Sequence, residues 1–298
     1  MTLRVLESPI LFPGDAITAY RDPAAVFDNG VLHLFFTLTR READGKTYMY
    51  TAASQSRDLV TWTAPRLLTP RDPRLNFSSP GNLIRVGDEW VLCLQTYPRP
   101  NGEKYGNGTA RLWAMRSKNL MDWGDPELLR VKGPDVPVED MGRMIDPYLL
   151  RDKDDGEKWW CFYKQDGVSM SWSHDLKTWT YFGKAAAGEN VCVLVENDEY
   201  VLFHSPDNGI GIKRSPDLRQ WRDTGGLITL GQTDWLWAQG RLTAGFVLDT
   251  RNVSGIEKYL MFFHASGPEN EETMFDNYAS LGIAWSDDLM TWDWPGKI

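Results

Sequence analysis

With 298 residues and a net charge of −9, the chain is long enough for one large core and lacks the basic excess that a nucleic-acid partner demands. Three cysteines, Cys93, Cys161 and Cys192, are too few and too scattered for a disulfide framework or a zinc site, and each falls in an apolar run that predicts a reduced, buried thiol. No stretch has the length of a bilayer-spanning helix, and the opening residues lack a charged leader followed by an apolar run, so the expectation is a cytoplasmic protein with no membrane partner.

In chain order, residues 1–18 carry a candidate strand that would help close a ring of sheets. Arg21-Asp-Pro-Ala-Ala-Val-Phe then leads into Asp28-Asn-Gly30 and returns as Val31-Leu-His-Leu-Phe-Phe-Thr. Asn-Gly between apolar runs is a strong hairpin signal. Ser79-Pro-Gly-Asn-Leu-Ile-Arg turns at Gly87 and returns from Trp90. Ile145-Asp-Pro-Tyr-Leu-Leu turns through residues 152–157 and returns from Trp159. Glu189-Asn-Val-Cys-Val-Leu-Val turns at Glu196 and returns from Tyr200, and Gln239-Gly-Arg-Leu-Thr-Ala returns as Tyr259-Leu-Met-Phe-Phe-His-Ala. Helical periodicity is not sustained anywhere.

After each hairpin comes one phrase, Ser-x-Asp/Asn-Leu-x-x-Trp, opening at Ser56, Ser117, Ser173, Ser215 and Ser286. The serines lie 61, 56, 42 and 71 residues apart, near the roughly 40 to 50 residues of a four-stranded propeller blade plus insertions. The predicted fold is therefore all-β, a single five-bladed β-propeller over 1–298 with blades near 19–66, 77–127, 143–183, 187–225 and 238–296 and an axial active-site pocket. In the phrase, the Asp or Asn side chain is expected to hold a turn while Leu and Trp pack between blades. The long links at 98–109, 124–144, 222–237 and 265–279 are candidates for shaping a site.

Innermost propeller strands converge on the axis, which places Asp22, Ser79, Asp146, Glu189, and Gln239 with Arg241 around one pocket. One Asp-Pro by itself reads as a turn initiator. Three acids at the starts of strands in separate blades read as chemistry, because clustered carboxyls push one another's pKa values apart and so supply an acid and a base. Arg21, Arg143, Asn82, Asn190 and Trp237 are the remaining candidates for contacts to a substrate. His204 and His264, at the ends of return strands, are expected to make core hydrogen bonds.

Asp22-Pro, Ile145-Asp146-Pro and Gly188-Glu189, with Tyr259-Leu-Met-Phe-Phe-His264-Ala, resemble the five-bladed glycoside hydrolases, above all family 43 and beside it families 62, 32 and 68. The correspondence runs blade by blade over nearly the whole chain. It implies Asp22 as general base, Asp146 as the residue that orients substrate and tunes the acid, and Glu189 as general acid. An inverting mechanism of that kind wants the two working carboxyls about 6.5 to 9.5 Å apart, a retaining one about 5 to 5.5 Å. Arg241 stands where family 43 members often carry a metal-supporting histidine, and blade one reads Tyr20-Arg-Asp-Pro-Ala, without the Asn-Asp-Pro-Asn of family 32. No cofactor is required, and the calcium on the axis that the resemblance allows is disfavoured by that arginine.

The function expected is hydrolysis of a terminal glycosidic bond in a short oligosaccharide, a furanoside or pentoside by resemblance. Fold alone does not fix reaction type, so two alternatives stay open: a glycoside phosphorylase or transferase, and a non-catalytic carbohydrate-binding propeller.

Overall fold

The computed structural model describes residues 2–268 and 275–297; the part of the 265–279 link at 269–274 lies outside the described residues. Five antiparallel sheets follow one another along the chain. Blade one is β2 (Thr18–Asp28), β3 (Val31–Arg41), β4 (Thr47–Ser56) and β5 (Arg66–Leu67). Blade two is β6 (Phe77–Val86), β7 (Glu89–Thr96), β8 (Leu112–Ser117) and β9 (Glu127–Leu128). Blade three is β10 (Ile145–Arg151), β11 (Trp159–Lys164), β12 (Val168–Ser173) and β13 (Thr180–Ala185), and blade four is β14 (Glu189–Glu196), β15 (Glu199–Ser205), β16 (Gly211–Ser215) and β17 (Arg222–Asp223). Blade five is β18 (Arg241–Asp249), β19 (Tyr259–Ser266), β20 (Ser280–Ser286) and β21 (Trp292–Asp293). The innermost strands of neighbouring blades touch all the way round, β18 of blade five closing against β2 of blade one. The molecule is a five-bladed β-propeller.

The N-terminal segment supplies β1 (Ile10–Phe12), which pairs with β20 of blade five, so the first strand in sequence joins the last sheet. Between blades the filling is aromatic and aliphatic: Phe35, Phe36, Phe162, Phe203, Phe262 and Phe263 are fully buried. All three cysteines are buried and free. Among the described residues no helix is long and apolar enough to cross a membrane.

The repeated phrase is the turn from the third to the fourth strand of every blade. In blade five, Ser286 Oγ accepts the Leu289 N–H (2.9 Å) while Asp288 Oδ1 accepts the N–H groups of Met290 and Thr291 at 2.9 and 2.7 Å. The Trp292 indole N–H then donates to the Leu289 carbonyl at 3.1 Å. The same indole-to-leucine bond recurs at Trp62, Trp123, Trp179 and Trp221. The leucine is buried in all five copies and sits at positive φ, between 60° and 72°. A left-handed leucine costs about 1–2 kcal/mol, so the serine, aspartate and tryptophan contacts and the burial of the leucine side chain must jointly hold it there. Asp288→Ala leaves two turn amides without their acceptor and is expected to destabilise the fold by about 1–2 kcal/mol in thermal or urea unfolding.

Candidate active site

Each innermost strand is broken by a bulge at the same height. Register slips between Arg21 and Ala24, Ser78 and Asn82, Ile145 and Tyr148, Glu189 and Cys192, and Thr243 and Phe246. One residue in each bulge takes a positive φ: Asp22 (48°), Ser79 (43°), Asp146 (52°), Asn190 (52°) and Ala244 (52°). None of the five is glycine, and strained backbone of this kind persists only where its surroundings over-determine it. Side chains on the second strand of the preceding blade, or of blade five for blade one, supply that restraint. The Asp22 N–H donates to His264 Nδ1 (3.1 Å), the Ser79 N–H to Thr37 Oγ1 (2.7 Å), the Asp146 N–H to Gln95 Oε1 (2.6 Å) and the Ala244 N–H to Ser205 Oγ (2.9 Å).

Blade three breaks the pattern. The residue in the equivalent place, opposite Ile145 in register, is Lys164, which has no acceptor to offer a backbone amide. Its ammonium contacts the Glu189 carboxylate of blade four instead.

The bulges surround an axial cavity of about 210 Å³. Asp22, Asp146 and Glu189 all line it, together with Arg21, Ser79, Arg143, Asn190 and Arg241 from the sequence-derived set. Three candidates fall elsewhere. Asn82 is buried between blades, its amide donating to the Leu149 carbonyl (2.7 Å) and accepting the Leu149 N–H (2.8 Å), so it ties blade two to blade three. Trp237 stacks on Trp235 (5.4 Å between ring centres) and on Phe263 (6.0 Å), which makes it packing for blade five. Gln239 is exposed and donates to the Thr233 carbonyl. The conformationally equivalent positions in blade five are Thr243 and Ala244, because strand β18 bulges later than its apolar run suggests.

Asp22 is 7 % exposed. Burial by itself would raise its carboxyl, but Arg21 (3.9 Å), His264 and hydrogen bonds from Thr37 and Ser79 outweigh that and hold it below the usual carboxylate range. Thr37 both accepts the Ser79 N–H and donates to Asp22 Oδ2 at 2.9 Å, so one hydroxyl fixes two neighbouring bulges. Asp146 goes the other way: burial, then the charge of Asp22, push it up to about 6, against Lys164, Arg143 and a 3.3 Å hydrogen bond from Ser79. Glu189 is about one-third exposed at the mouth. His264 is pushed down to about 4 by burial despite Asp22, so its ring is neutral and Nδ1 is free to accept the Asp22 N–H. His204 is likewise pushed to about 4 by burial first, and its Nδ1 accepts the N–H of Gly188, beside Glu189 in its own blade, at 2.9 Å. Gly188 has to be glycine, since a Cβ there would lie 2.2 Å from the Ser205 carbonyl oxygen.

Lining residues that went unnoticed in the sequence as site residues include Lys164, Gln95, Tyr97, Tyr105, Thr243 and Phe275. The first two end second strands, and only the bulge register shows that those ends face the axis. Phe275 carries the guanidinium groups of Arg21 and Arg241 at 5.5 Å each and meets His264 edge-on at 5.2 Å. Arg241 also lies 3.7 Å from Asp207 at the rim. Among the described residues no three acidic, histidine or cysteine side chains converge as a metal-binding set, and the His264 nitrogen nearest Asp22 is already engaged.

The signs of these shifts make stability predictions. A carboxyl raised to about 6 in the fold favours the neutral form, so its contribution is intact below the ordinary carboxylate range and is lost as pH rises through 6. Asp146→Asn is therefore expected to stabilise the protein at pH 8, on the order of 2 kcal/mol, and to change little at pH 4, as read by thermal unfolding at the two values. Lys164→Gln removes the ammonium that lowers Asp146, and its Asp146 carboxyl is expected to titrate above 6 in carbon-13 NMR.

The chain matches no protein-family model and no curated protein sequence. Solved structures do match along nearly its whole length. An exo-1,5-α-L-arabinanase from a bovine ruminal metagenomic library is 16 % identical, covers 91 % of this chain and 94 % of its own, and has a TM-score of 0.63. The catalytic domain of the Coprinopsis cinerea family 62 α-L-arabinofuranosidase is 14 % identical, covers 93 % and 95 %, and scores 0.66. A thermostable family 43 glycoside hydrolase is 13 % identical, covers 95 % of each chain and scores 0.61. At these identities the likeness establishes the fold: the chain has the five-bladed propeller architecture that these glycosidases share.

Proposed function

We propose that the protein is a glycoside hydrolase that removes a terminal sugar from a short oligosaccharide, a furanoside or pentoside in the first instance. The observation that carries this reading is the set of three carboxyls on one axial cavity, two of them pushed in opposite directions by their surroundings. Environments that separate the pKa values of neighbouring carboxyls are how one site holds an acid and a base at a single pH. The solved glycosidases of the same fold support the substrate class.

Asp22 is the base. It stays ionised, and Thr37, Ser79 and the Asp22 N–H bond to neutral His264 fix its position, as activating a water requires. Arg21 at 3.9 Å stabilises the charge. Asp146 lies between the other two carboxyls in charge terms: Asp22 raises it and Lys164 lowers it. Glu189, at the mouth, is the acid that protonates the leaving oxygen. Its contact with the Lys164 ammonium must loosen as the leaving oxygen arrives.

A panel of 4-nitrophenyl glycosides, α-L-arabinofuranoside, β-D-xyloside, β-D-galactofuranoside and β-D-fructofuranoside, tests the reading. Release is expected from at least one, with loss of about 10³-fold or more in Asp22→Asn. Glu189→Gln should lose far more on a poor leaving group than on 2,4-dinitrophenolate, which needs no protonation; equal losses on both would move the acid role to Asp146, the carboxyl already raised to about 6. Silence over the panel with folded protein would count against a hydrolase of these sugars.

A further inference from the structure

Innermost strands all start at one end of the ring, and so do the loops joining second to third strands. These loops are short at 42–46, 165–167 and 206–210 in blades one, three and four and long at 97–111 in blade two; in blade five the strands stand further apart, with 267–268 and 275–279 the described residues between them. The two long loops meet over blade one. Arg99, 7 % exposed, donates from both terminal nitrogens to both carboxylate oxygens of Asp276 at 2.8 and 2.7 Å, and from Nε to the Glu103 carbonyl. A buried bidentate pair between blades that are not neighbours is a fixed joint, and breaking it would strand a charge. Each loop carries part of the cavity wall: Tyr97 and Tyr105 from blade two, and Phe275, next to Asp276, from blade five. Gly106 lies flat on the Tyr97 ring, where a Cβ would come within 2.6 Å. The side behind Asp22 is walled.

Across the axis the loops between second and third strands are short, and a groove of about 790 Å³ runs between blades three and four. Gly167, Ala186, Ala187 and Gly188 leave its floor open, with Lys184 and Leu227 along its edges. It approaches the cavity at the acid itself: Gly188, which lines the groove, is followed in the chain by Glu189, which lines the cavity. Charges in the groove are largely satisfied: Lys184 donates to the Asp166 carbonyl (2.8 Å) and Lys213 to Asp223 (2.7 Å). Small apolar side chains between such polar groups suit the C–H faces and hydroxyls of a neutral saccharide.

We propose that the groove between blades three and four binds the leaving-group part of a neutral saccharide chain, whose terminal residue stops against the wall joined by Arg99 and Asp276. This assignment rests on the glycosidase reading above and gives the site a direction: the chain enters over blades three and four, crosses Glu189 and ends beside Asp22.

Ala186 is exposed on the groove, and Ala186→Trp fills it without touching the cavity. The probes are the best-cleaved aryl glycoside of the panel, whose leaving group is one ring, and the trisaccharide of the same sugar, 1,5-α-L-arabinotriose for an arabinofuranosidase. In Ala186→Trp, kcat/KM on the trisaccharide is expected to fall about tenfold or more relative to the aryl glycoside, mostly through KM. Arg99→Ala, checked for folding by thermal unfolding, is expected to raise KM on both probes and to release products longer than one sugar from a longer oligosaccharide. An unmoved ratio in Ala186→Trp overturns the groove while leaving the hydrolase standing, single-sugar products alone from folded Arg99→Ala overturn the wall, and a silent wild-type panel removes the reading on which both rest.

Discussion

Everything at the centre of this propeller depends on one constraint: bulge residues held at positive φ by side chains from a neighbouring second strand. An extended strand would carry Asp22 and Asp146 past the axis with their side chains alternating between faces. The bulge turns them to point into the cavity, and the amide bonds to His264 and Gln95 keep the turn in place. The restraint is mutual. Thr37 holds the Ser79 amide and the Asp22 carboxylate at once, so blade two cannot shift against blade one without disturbing Asp22.

The same arrangement explains why the two buried histidines are neutral. A protonated ring has no lone pair to offer an amide, so His264 can hold Asp22, and His204 can hold Gly188, only because burial keeps both imidazoles near 4. Their charge state is part of the architecture beneath two of the carboxyls. Lys164 is the one departure from the set of acceptors, and its ammonium turns to the Glu189 carboxylate instead. Structure and chemistry diverge at that single position: an acceptor there would stitch blades three and four together, whereas the lysine sets the charge between Asp146 and Glu189.

Unequal loops on equal blades then convert a symmetric scaffold into a directional site. The repeated Ser-x-Asp-Leu-x-x-Trp turns lie between the third and fourth strands, far out on each blade, and make the blades alike. Loops between second and third strands carry the differences. Two long loops pinned by Arg99 and Asp276 raise a wall on one side, and short ones leave the groove on the other.

The sequence determined the five blades, since a phrase repeated five times with a turn-holding aspartate and a packing tryptophan admits little else, and it picked out Asp22, Asp146 and Glu189 because charged groups at the starts of apolar strands need a reason. It could not say which flanking polar residues face the axis. Asn82 and Ser79 are three residues apart on one strand, yet the bulge between them sends one to the seam between blades and the other to the cavity. Register is set by tertiary pairing, and a shift of one residue reverses a side chain, so Lys164 and Gln95 did not look like site residues; Trp237, Gln239 and Phe275 lie outside the strands, where only the folded chain decides what they meet. Only the closed ring brought Arg99 to Asp276, 177 positions along the chain, and decided which side of the site is open.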